Sequence, residues 1–473
     1  MKLLVFLSAV IPLAAQVPTL PPPPVGVAAN VPSTGIALPQ PSQFRGSVRT
    51  AETPGPEFPL SLDDAIARGL KNNLGVLVLD SASRLARAQR IRTLGALAPN
   101  LTAAVSETAL QVSLATFGLH FPGVRDVTVP FTYADARVFA SQSIFDWTAV
   151  KNHQAAIQNQ GSVALSLQDG RDLVVQTVAS GYLLVIADSA LIETTAAQVS
   201  TAQVLFERAR EQHAAGAAAA IDELRAEVEL NERKQDLVVR QNQRDKDKLA
   251  LGRAIGLPFG QPFQLSDTAP YVPLEGMTPD QALQDAYKNR ADYRSAAEQL
   301  HSAETARSAS RGQYAPVLQV EGNYGGVARN GDHAHGTFEA TASLRLNLFD
   351  GGRRHSDVEQ ADAIISQRKD ELADLAGQID FEVRTALLDL KTSASQVTLA
   401  QRNLDLANQT LAQANNRFNA GVTDNLEVVQ AQASIAIVNQ ELISAIYGHN
   451  LAKVSLARAV GATEASLKRF MSH

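Results

Sequence analysis

The feature that most constrains the fold is an internal duplication. Residues 62–72 match residues 279–289, and Ala98–Leu101 matches Ala315–Leu318, in both cases 217 positions further along the chain. Three later matches are separated by 204 or 205 positions: residues 144–146 with 348–350, 215–216 with 420–421, and 253–256 with 458–461. Because the matches occur in the same order, residues 60–256 and 277–465 are predicted to be two copies of one unit, joined by a linker at 257–276.

Helical periodicity accounts for most of each copy. Residues 62–95 and 279–312 are rich in helix-forming Ala, Arg and Gln. Residues 150–209 and 354–415 contain no proline, and each would form a helix about 90 Å long. Heptad rows run through Leu390, Val397, Leu404, Leu411 and Phe418 beside Ala400, Ala407, Ala414 and Gly421, and through Val185, Ile192, Val199 and Phe206 beside Ala202, Ala209 and Gly216. Heptads predict laterally packed helices, in a helical wall or in a coiled-coil dimer.

Between these helices, each copy alternates apolar and polar residues in the manner of β-strands. Residues 338–348 show this pattern most clearly, and residues 318–324 and 101–106 predict partner strands. Strands of about ten residues with one apolar face are typical of membrane barrels, but a half-buried sheet in a soluble protein has the same alternation. Aromatic residues near the strand ends favour the membrane interpretation. They are Phe117, Phe121, Phe131, Phe145, Trp147, Tyr314 and Phe349.

The ends of the chain and its composition limit the class of protein. Residues 1–15, with Lys2 before an apolar stretch and Ala14-Ala15 at the end, are predicted to be a secretory signal peptide. Residues 16–59 are predicted to be a Pro-rich periplasmic arm, extended or disordered, and residues 466–473 a C-terminal tail. The formal charge of −6 argues against nucleic-acid binding, and the absence of Cys excludes disulfides and a lipid-modified Cys. No run of 18 apolar residues occurs after the signal, which predicts no transmembrane helix.

Residues 417–431 carry the most recognisable motif. An aromatic residue, Phe418, precedes an Ala-Gly turn at Ala420-Gly421, and a Val- and Leu-rich segment with acidic residues follows. Together with the strand pairs, the Phe349-Asp350 step and the duplication, this motif resembles the hairpin tip of the TolC-like outer membrane efflux protein family (outer membrane factors). The resemblance covers roughly residues 60–465. The first copy departs from the pattern, because His213 replaces the aromatic residue.

The resemblance implies the fold class, a mixed α and β membrane protein. Each chain would contribute four strands to a trimeric 12-stranded β-barrel, and very long coiled-coil-like helices would continue it as a periplasmic tunnel. The implied function is a channel-tunnel subunit in the outer membrane, a passive exit duct in a tripartite efflux or type I secretion system. Its implied partners are two further copies of the chain, outer-membrane lipid, a periplasmic adaptor and an inner-membrane pump. A structural coiled-coil protein of the envelope is the alternative.

The resemblance also assigns candidate site residues. Asp222 and Glu427, each six positions after a turn glycine, would form an acidic periplasmic constriction that selects cations. The alternative for both is a solvated position favoured by a helix dipole. Gly216, Phe418 and Gly421 are candidate adaptor-docking residues at the hairpin tips, although a glycine there also serves turn geometry alone.

The polar strand faces supply the remaining candidates, because the polar face of a barrel strand lines the lumen. Glu321, Glu339 and Arg345 are predicted to face the lumen. No phosphate loop, nucleophile elbow or zinc motif occurs, so neither an enzyme activity nor a cofactor is predicted. The His333-Ala334-His335 pair is interpreted as a solvated loop rather than a metal site.

Overall fold

The structure is a computed structural model. It describes residues 44, 46–50, 53–118, 120, 122–123, 125–216, 219–268, 270–274, 277–329, 333–420, 422, 425–461 and 463–471. The predicted signal peptide and most of the Pro-rich arm lie outside these residues, as do Phe121 and Gly421. The chain divides into a strand unit and a helical unit. The strand unit contains Leu94–Trp147 and Tyr314–Leu348, and the helical unit contains Leu38–Thr93, Thr148–Gln313 and Phe349–His473.

The order helix, helix, strand, strand, helix, helix occurs twice along the chain. The first series is β1 (Phe58–Leu60), α1 (Leu62–Asn72), α2 (Leu74–Gly95), β2 (Asn100–Leu110), β3 (Phe131–Phe145), α3 (Trp147–Ala214) and α4 (Ala220–Ile255). The second is β4 (Phe263–Leu265), α5 (Pro279–Asn289), α6 (Ala291–Gly312), β5 (Val317–Arg329), β6 (His335–Arg345), α7 (Arg353–Asn419) and α8 (Asn425–Val460), followed by α9 (Thr463–Met471).

The strand unit is one antiparallel sheet in the order β2-β3-β5-β6. The predicted strand at 338–348 forms, but it begins earlier, at His335, and ends at Arg345. The reason lies in its partner, because Arg345 pairs with Val317, the residue that follows Pro316. Proline has no N–H to donate to the ladder, so strand pairing stops there.

The predicted helices at 62–95 and 279–312 are each broken once, at Asn73 and at Arg290. Both residues have extended backbone angles, and they lie 217 positions apart. Asn73 is buried, its amide donates to the Phe44 carbonyl at 2.6 Å, and its side-chain oxygen accepts from the Gly75 N–H at 2.9 Å. Side-chain bonds of this kind compete with the helical ladder, which explains a break that composition did not predict.

The long helices are present as predicted. α3 has 68 residues and α7 has 67, so each is about 100 Å long at the α-helical rise. Each is followed by an antiparallel partner of 36 residues, α4 or α8. The small side chains of the predicted heptad rows are buried: Ala202, Ala209, Ala400, Ala407 and Ala414. Their size lets the paired helices approach closely along these rows.

The main apolar core of the helical unit lies where α3, α4, α7 and α8 meet the short helices. Tyr182 is fully buried there, and its hydroxyl donates to the Leu60 carbonyl at 2.8 Å. The end of the predicted arm and part of the linker also belong to this region. β1, which begins in the arm, pairs in parallel with β4, which lies in the linker. Residues 466–471, predicted as a tail, lie in α9, whose Leu467 and Phe470 are buried in the core.

One helix, α3, contains an 18-residue window that is long and apolar enough to cross a membrane. The sequence predicted no transmembrane helix because no run of 18 apolar residues occurs. The mean hydropathy of the α3 window is nevertheless high enough to cross a membrane, because its scattered polar residues interrupt the apolar runs but lower the mean only slightly. Part of the window is buried against neighbouring helices, and a helix in a protein core meets the same criterion.

Candidate functional site

The two faces of the sheet differ in polarity, and in β3 they also differ in exposure. In β3, Ala134, Ala136, Val138 and Ala140 are exposed, whereas the alternate positions are half-buried or buried. The exposed face continues across the other strands with Leu101, Val105, Val320, Tyr324, Phe338 and Leu344. A half-buried sheet in a soluble protein would cover its apolar face and leave the polar one in water. Here Val105 is 83% exposed and Phe338 79%, which is the distribution of a lipid-facing strand.

A hydrogen-bonded array of four side chains crosses the polar face. The Arg137 guanidinium donates to both carboxylate oxygens of Asp135 at 2.7 Å and to the Asn323 side-chain oxygen at 2.8 Å. The Asn323 amide in turn donates to the Glu339 carboxylate at 3.2 Å. Gly325, opposite Arg137 in the register, makes room for this array, because a Cβ there would overlap the arginine side chain. We call these four residues the lumen array.

The three residues predicted to face the lumen share this polar face. Asn323 pairs with Glu339, Glu321 with Thr341, and Arg345 with Val317, and all of these positions have the same parity along their strands. Arg345 and Glu321 approach to 3.9 Å on the exposed surface, a distance at which the two charges partly neutralise each other. The register therefore brings Glu321, Glu339 and Arg345 onto one side of the sheet, as the alternation predicted.

The turn between α3 and α4 is closed by Gly216, which has a left-handed backbone with φ of 74°. Its N–H donates to the His213 carbonyl at 2.9 Å, and His213 Nδ1 lies 2.6 Å from the Glu223 carboxylate across the turn. Asp222, the predicted constriction residue, is half-exposed in the first turn of α4. It lies 3.7 Å from Arg225 on the same helix.

The turn between α7 and α8 holds the second group of predicted residues. Glu427 lies in the first turn of α8, and its carboxylate is 3.7 Å from the Arg417 guanidinium across the turn. The Val422 N–H donates to the Arg417 carbonyl at 3.0 Å. Gly421 lies outside the described residues, and for Phe418 only the backbone, near the end of α7, is described. Each predicted constriction carboxylate thus has an arginine of its own chain nearby.

A buried ionic cluster, missed by sequence reasoning, ties the short helices to the long ones. Arg290 is 2% exposed and donates to Asp292 at 2.6 Å and to Glu382 at 2.5 Å. Arg458 donates to Asp169 at 2.5 Å and lies 3.8 Å from Asp292. These residues come from α3, α6, α7 and α8 and the break before α6.

Burial and charge oppose each other inside this cluster. Burial raises the pKa of the Asp169 carboxyl above its ordinary value, and Arg458 only partly offsets that effect. Burial also disfavours ionisation of Asp292, but the Arg290 hydrogen bond and charge outweigh it and hold its pKa below the ordinary value. Asp172, with a pKa raised chiefly by burial, accepts from the Thr463 N–H at 3.1 Å and so caps the start of α9.

A sequence signal for the lumen array lies in β3. The segment Ala134-Asp135-Ala136-Arg137-Val138 alternates charged and apolar residues in the same way as residues 338–348. No comparable signal marks the ionic cluster, whose members are scattered from position 169 to 458. Within the described part of the chain, no group of three His, Cys, Asp or Glu side chains could hold a metal ion.

Comparison with known protein families agrees with this architecture. The family model described as outer membrane efflux protein matches the chain twice, at residues 68–257 and 282–462, and so covers most of its length. The chain belongs to the outer membrane efflux protein family. Membership confirms the resemblance found in residues 417–431 and the predicted outer-membrane location.

Curated members of the outer membrane efflux protein family are similar to this chain at low identity. The probable efflux pump outer membrane protein TtgC of Pseudomonas putida is 26% identical over 61% of this chain and 60% of its own length. Outer membrane protein OprJ of Pseudomonas aeruginosa is 26% identical over 65% of each chain. The matched part therefore spans about three fifths of the length of the first of these relatives.

Solved structures share the fold of this family member over nearly its whole length. The CmeC outer membrane channel of Campylobacter jejuni superposes with a TM-score of 0.74 at 15% identity, covering 91% of this chain and 95% of CmeC. VceC of Vibrio cholerae gives 0.71 at 17% identity, covering 85% and 96%. These similarities confirm the mixed fold of strands and long helices.

Proposed function

We propose that the chain is the outer-membrane channel-tunnel subunit of a tripartite efflux system, a passive exit duct and not an enzyme. The observation that carries this proposal is the exposure of the sheet. Its apolar face is open, charged and hydrogen-bonded side chains lie on its polar face, and β2 and β6 each have an edge with no partner strand among the described residues. In a membrane such edges must be paired by closure into a barrel.

The barrel is proposed to form from three copies. Four strands cannot enclose a lumen, so neighbouring copies must supply the remaining strands. The resemblance to TolC-like proteins favours three copies, giving 12 strands, and the repeated order of helices in each chain would give the tunnel near-sixfold symmetry. Native mass spectrometry of the detergent-solubilised protein should give the mass of a trimer. A water-soluble elongated dimer would instead support the alternative of a structural coiled-coil protein.

A duct of this kind works with a pump that supplies energy and an adaptor that connects the two. The relatives TtgC and ArpC of Pseudomonas putida are named as outer membrane proteins of efflux pumps, one of them for toluene and one for antibiotics. These names favour small-molecule efflux over type I protein secretion as the function of this chain. Deletion of the gene should therefore sensitise the cell to small toxic compounds while leaving protein secretion unchanged.

The two helix turns are the proposed sites of adaptor docking, at Gly216, Phe418 and Gly421. Because the chain has no Cys, a single introduced Cys can be crosslinked without background. Ala215→Cys and Val422→Cys, beside the two turns, should each crosslink to a periplasmic adaptor. Arg125→Cys, in the segment between β2 and β3, is the matched control and should not. Absence of a crosslink at both turns would contradict docking there.

Asp222 and Glu427 are proposed to form an acidic constriction at the turns. Each carboxylate lies 3.7 Å from an arginine, Arg225 or Arg417, so removal of the acids would leave uncompensated cations. The double variant Asp222→Ala/Glu427→Ala should therefore have lower cation selectivity and weaker divalent block in planar bilayers. Arg225→Ala/Arg417→Ala should shift the selectivity the opposite way. Unchanged selectivity in both variants would eliminate the constriction but leave the channel proposal intact.

A further inference from the structure

We propose that Glu339 is a cation-attracting site inside the barrel, held in position by the lumen array and separate from the constriction at the helix turns. This inference rests on the proposed function, because it requires the polar face of the sheet to line a lumen. Its expected ligands are permeating cations, since a fixed carboxylate in a pore raises the local concentration of cations and lowers that of anions.

Side-chain hydrogen bonds that link β3, β5 and β6 fix the positions of the four side chains of the lumen array. Asp135 is 5% exposed and engages Arg137 with both oxygens, so the arginine side chain has a defined position on β3. Arg137 then holds the side-chain oxygen of Asn323 on β5. With its oxygen occupied in this way, the Asn323 amide must point its N–H groups toward β6, where one of them binds Glu339.

Charge compensation singles out Glu339 among the acids of this face. Asp135 is neutralised by Arg137 at 2.7 Å, and Glu321 is partly neutralised by Arg345 at 3.9 Å. Among the residues that the structure describes, the polar partner of Glu339 is the uncharged Asn323 amide. Glu339 is also exposed on the surface, whereas Asp135 is buried. The array itself therefore carries one net negative charge, at Glu339. The cation Arg329 shares the polar face, but it lies at the far end of β5, over the Phe131 ring, six positions along the strand from Asn323.

Gly325 permits this arrangement. It lies opposite Arg137 in the register of β3 and β5, and a Cβ at this position would overlap both the Arg137 side chain and the Ala136 carbonyl. Without that space, the guanidinium could not lie across the sheet to reach Asn323. The glycine thus serves the close approach of a side chain, in a strand where its φ is not left-handed.

The test is the ratio of K⁺ to Cl⁻ permeability of the purified full-length protein in planar bilayers, from reversal potentials in a KCl gradient. Glu339→Gln should lower the ratio about twofold in dilute salt, where charges act over roughly 30 Å, and the difference should vanish near 1 M, where they act over about 3 Å. Glu107→Gln is the matched control, because Glu107 pairs with Ala134 on the opposite, apolar face. It should leave the ratio unchanged.

A second variant tests the role of the array. Asn323→Ala keeps the Glu339 charge but removes its anchor, so it should lower the permeability ratio by less than Glu339→Gln does, at the same single-channel conductance. An unchanged ratio in Asn323→Ala would contradict positioning by the array. An unchanged ratio in Glu339→Gln at low salt, with normal conductance, would overturn the cation site. A wild-type protein that forms no channel would instead overturn the proposed function.

Discussion

The strand unit and the helical unit distribute polar and apolar side chains by opposite rules. In the helical unit, apolar residues such as Tyr182, Val178 and Ile379 are fully buried, and the charged residues that join them, such as Arg290, are paired. In the strand unit, Val105 and Phe338 are exposed, while Asp135 is buried on the polar face. Water surrounds a protein built by the first rule, and in the proposed channel lipid surrounds the sheet built by the second.

In the proposed channel, this difference fits a single chain to two solvents. In water, exposed charge costs little and exposed apolar area is unfavourable, so the helical unit gains stability from its core. In hydrocarbon, apolar exposure costs nothing and charge is unfavourable, which fits a sheet whose charged strand residues, apart from Glu107, lie on one face. A substitution of the same kind should therefore have opposite consequences in the two units.

The largest effect is expected at the ionic cluster of the helical unit. Arg290→Ala leaves Asp292 and Glu382 without their buried partner, and loss of one partner of a buried pair costs about 3–5 kcal/mol. The midpoint of thermal unfolding, followed by circular dichroism, should fall substantially. Arg384→Ala is the control, because Arg384 makes an exposed pair with Asp380 on α7. Equal shifts in the two variants would show that burial does not govern these charges.

The second largest effect is expected when a charge is placed on the apolar face of β3 instead of on its polar face. Val138→Arg places a charge on the apolar face of β3, where a charge near the middle of a bilayer costs about 2–4 kcal/mol. Ser141→Arg places the same charge on the polar face, where it should be tolerated. Folding into lipid vesicles, measured by the yield of heat-resistant oligomer, should fall only in Val138→Arg. Similar yields for the two variants would contradict a lipid-facing apolar surface.

The smallest effect concerns a half-buried carboxyl in the helical unit. Burial raises the pKa of Asp188 on α3 to about 6, and a hydrogen bond shared with Asp247 on α4 contributes. Because the folded pKa is above the unfolded one, the protonated form stabilises the fold, and this stabilisation is lost as the pH rises through 6. Asp188→Asn should therefore raise stability at pH 7.5 by on the order of 1 kcal/mol, since solvent screens a half-buried pair.

The measurement for Asp188 is the difference in unfolding free energy between wild type and Asp188→Asn at pH 4.5 and pH 7.5. The difference should be small at the lower pH and grow at the higher one. Asp405→Asn, which changes an exposed residue of α7, provides the control and should show no such growth. A difference that shrinks as pH rises would mean that the carboxylate of Asp188 is stabilised by the fold.

Local patterns were sufficient for much of the fold. The heptads and the absence of proline predicted α3 and α7, and the alternation at 338–348 predicted which residues share a face, including Glu339 and Arg345. The breaks at Asn73 and Arg290 were not predicted, because both depend on partners distant in sequence, Phe44 and Glu382. The same reason explains why the residues around Arg458 were not recognised as a cluster.

The sequence by itself determined the duplicated order of elements, the family and the two faces of each strand, because all three are encoded in repeats and periods along the chain. Only the tertiary structure decided how charges are compensated. Arg137 and Asn323 are 186 positions apart, and Arg458 and Asp169 are 289 apart, so no local pattern relates them. Strand register and helix packing bring these residues together, and the net charge of each site depends on the pairs that result.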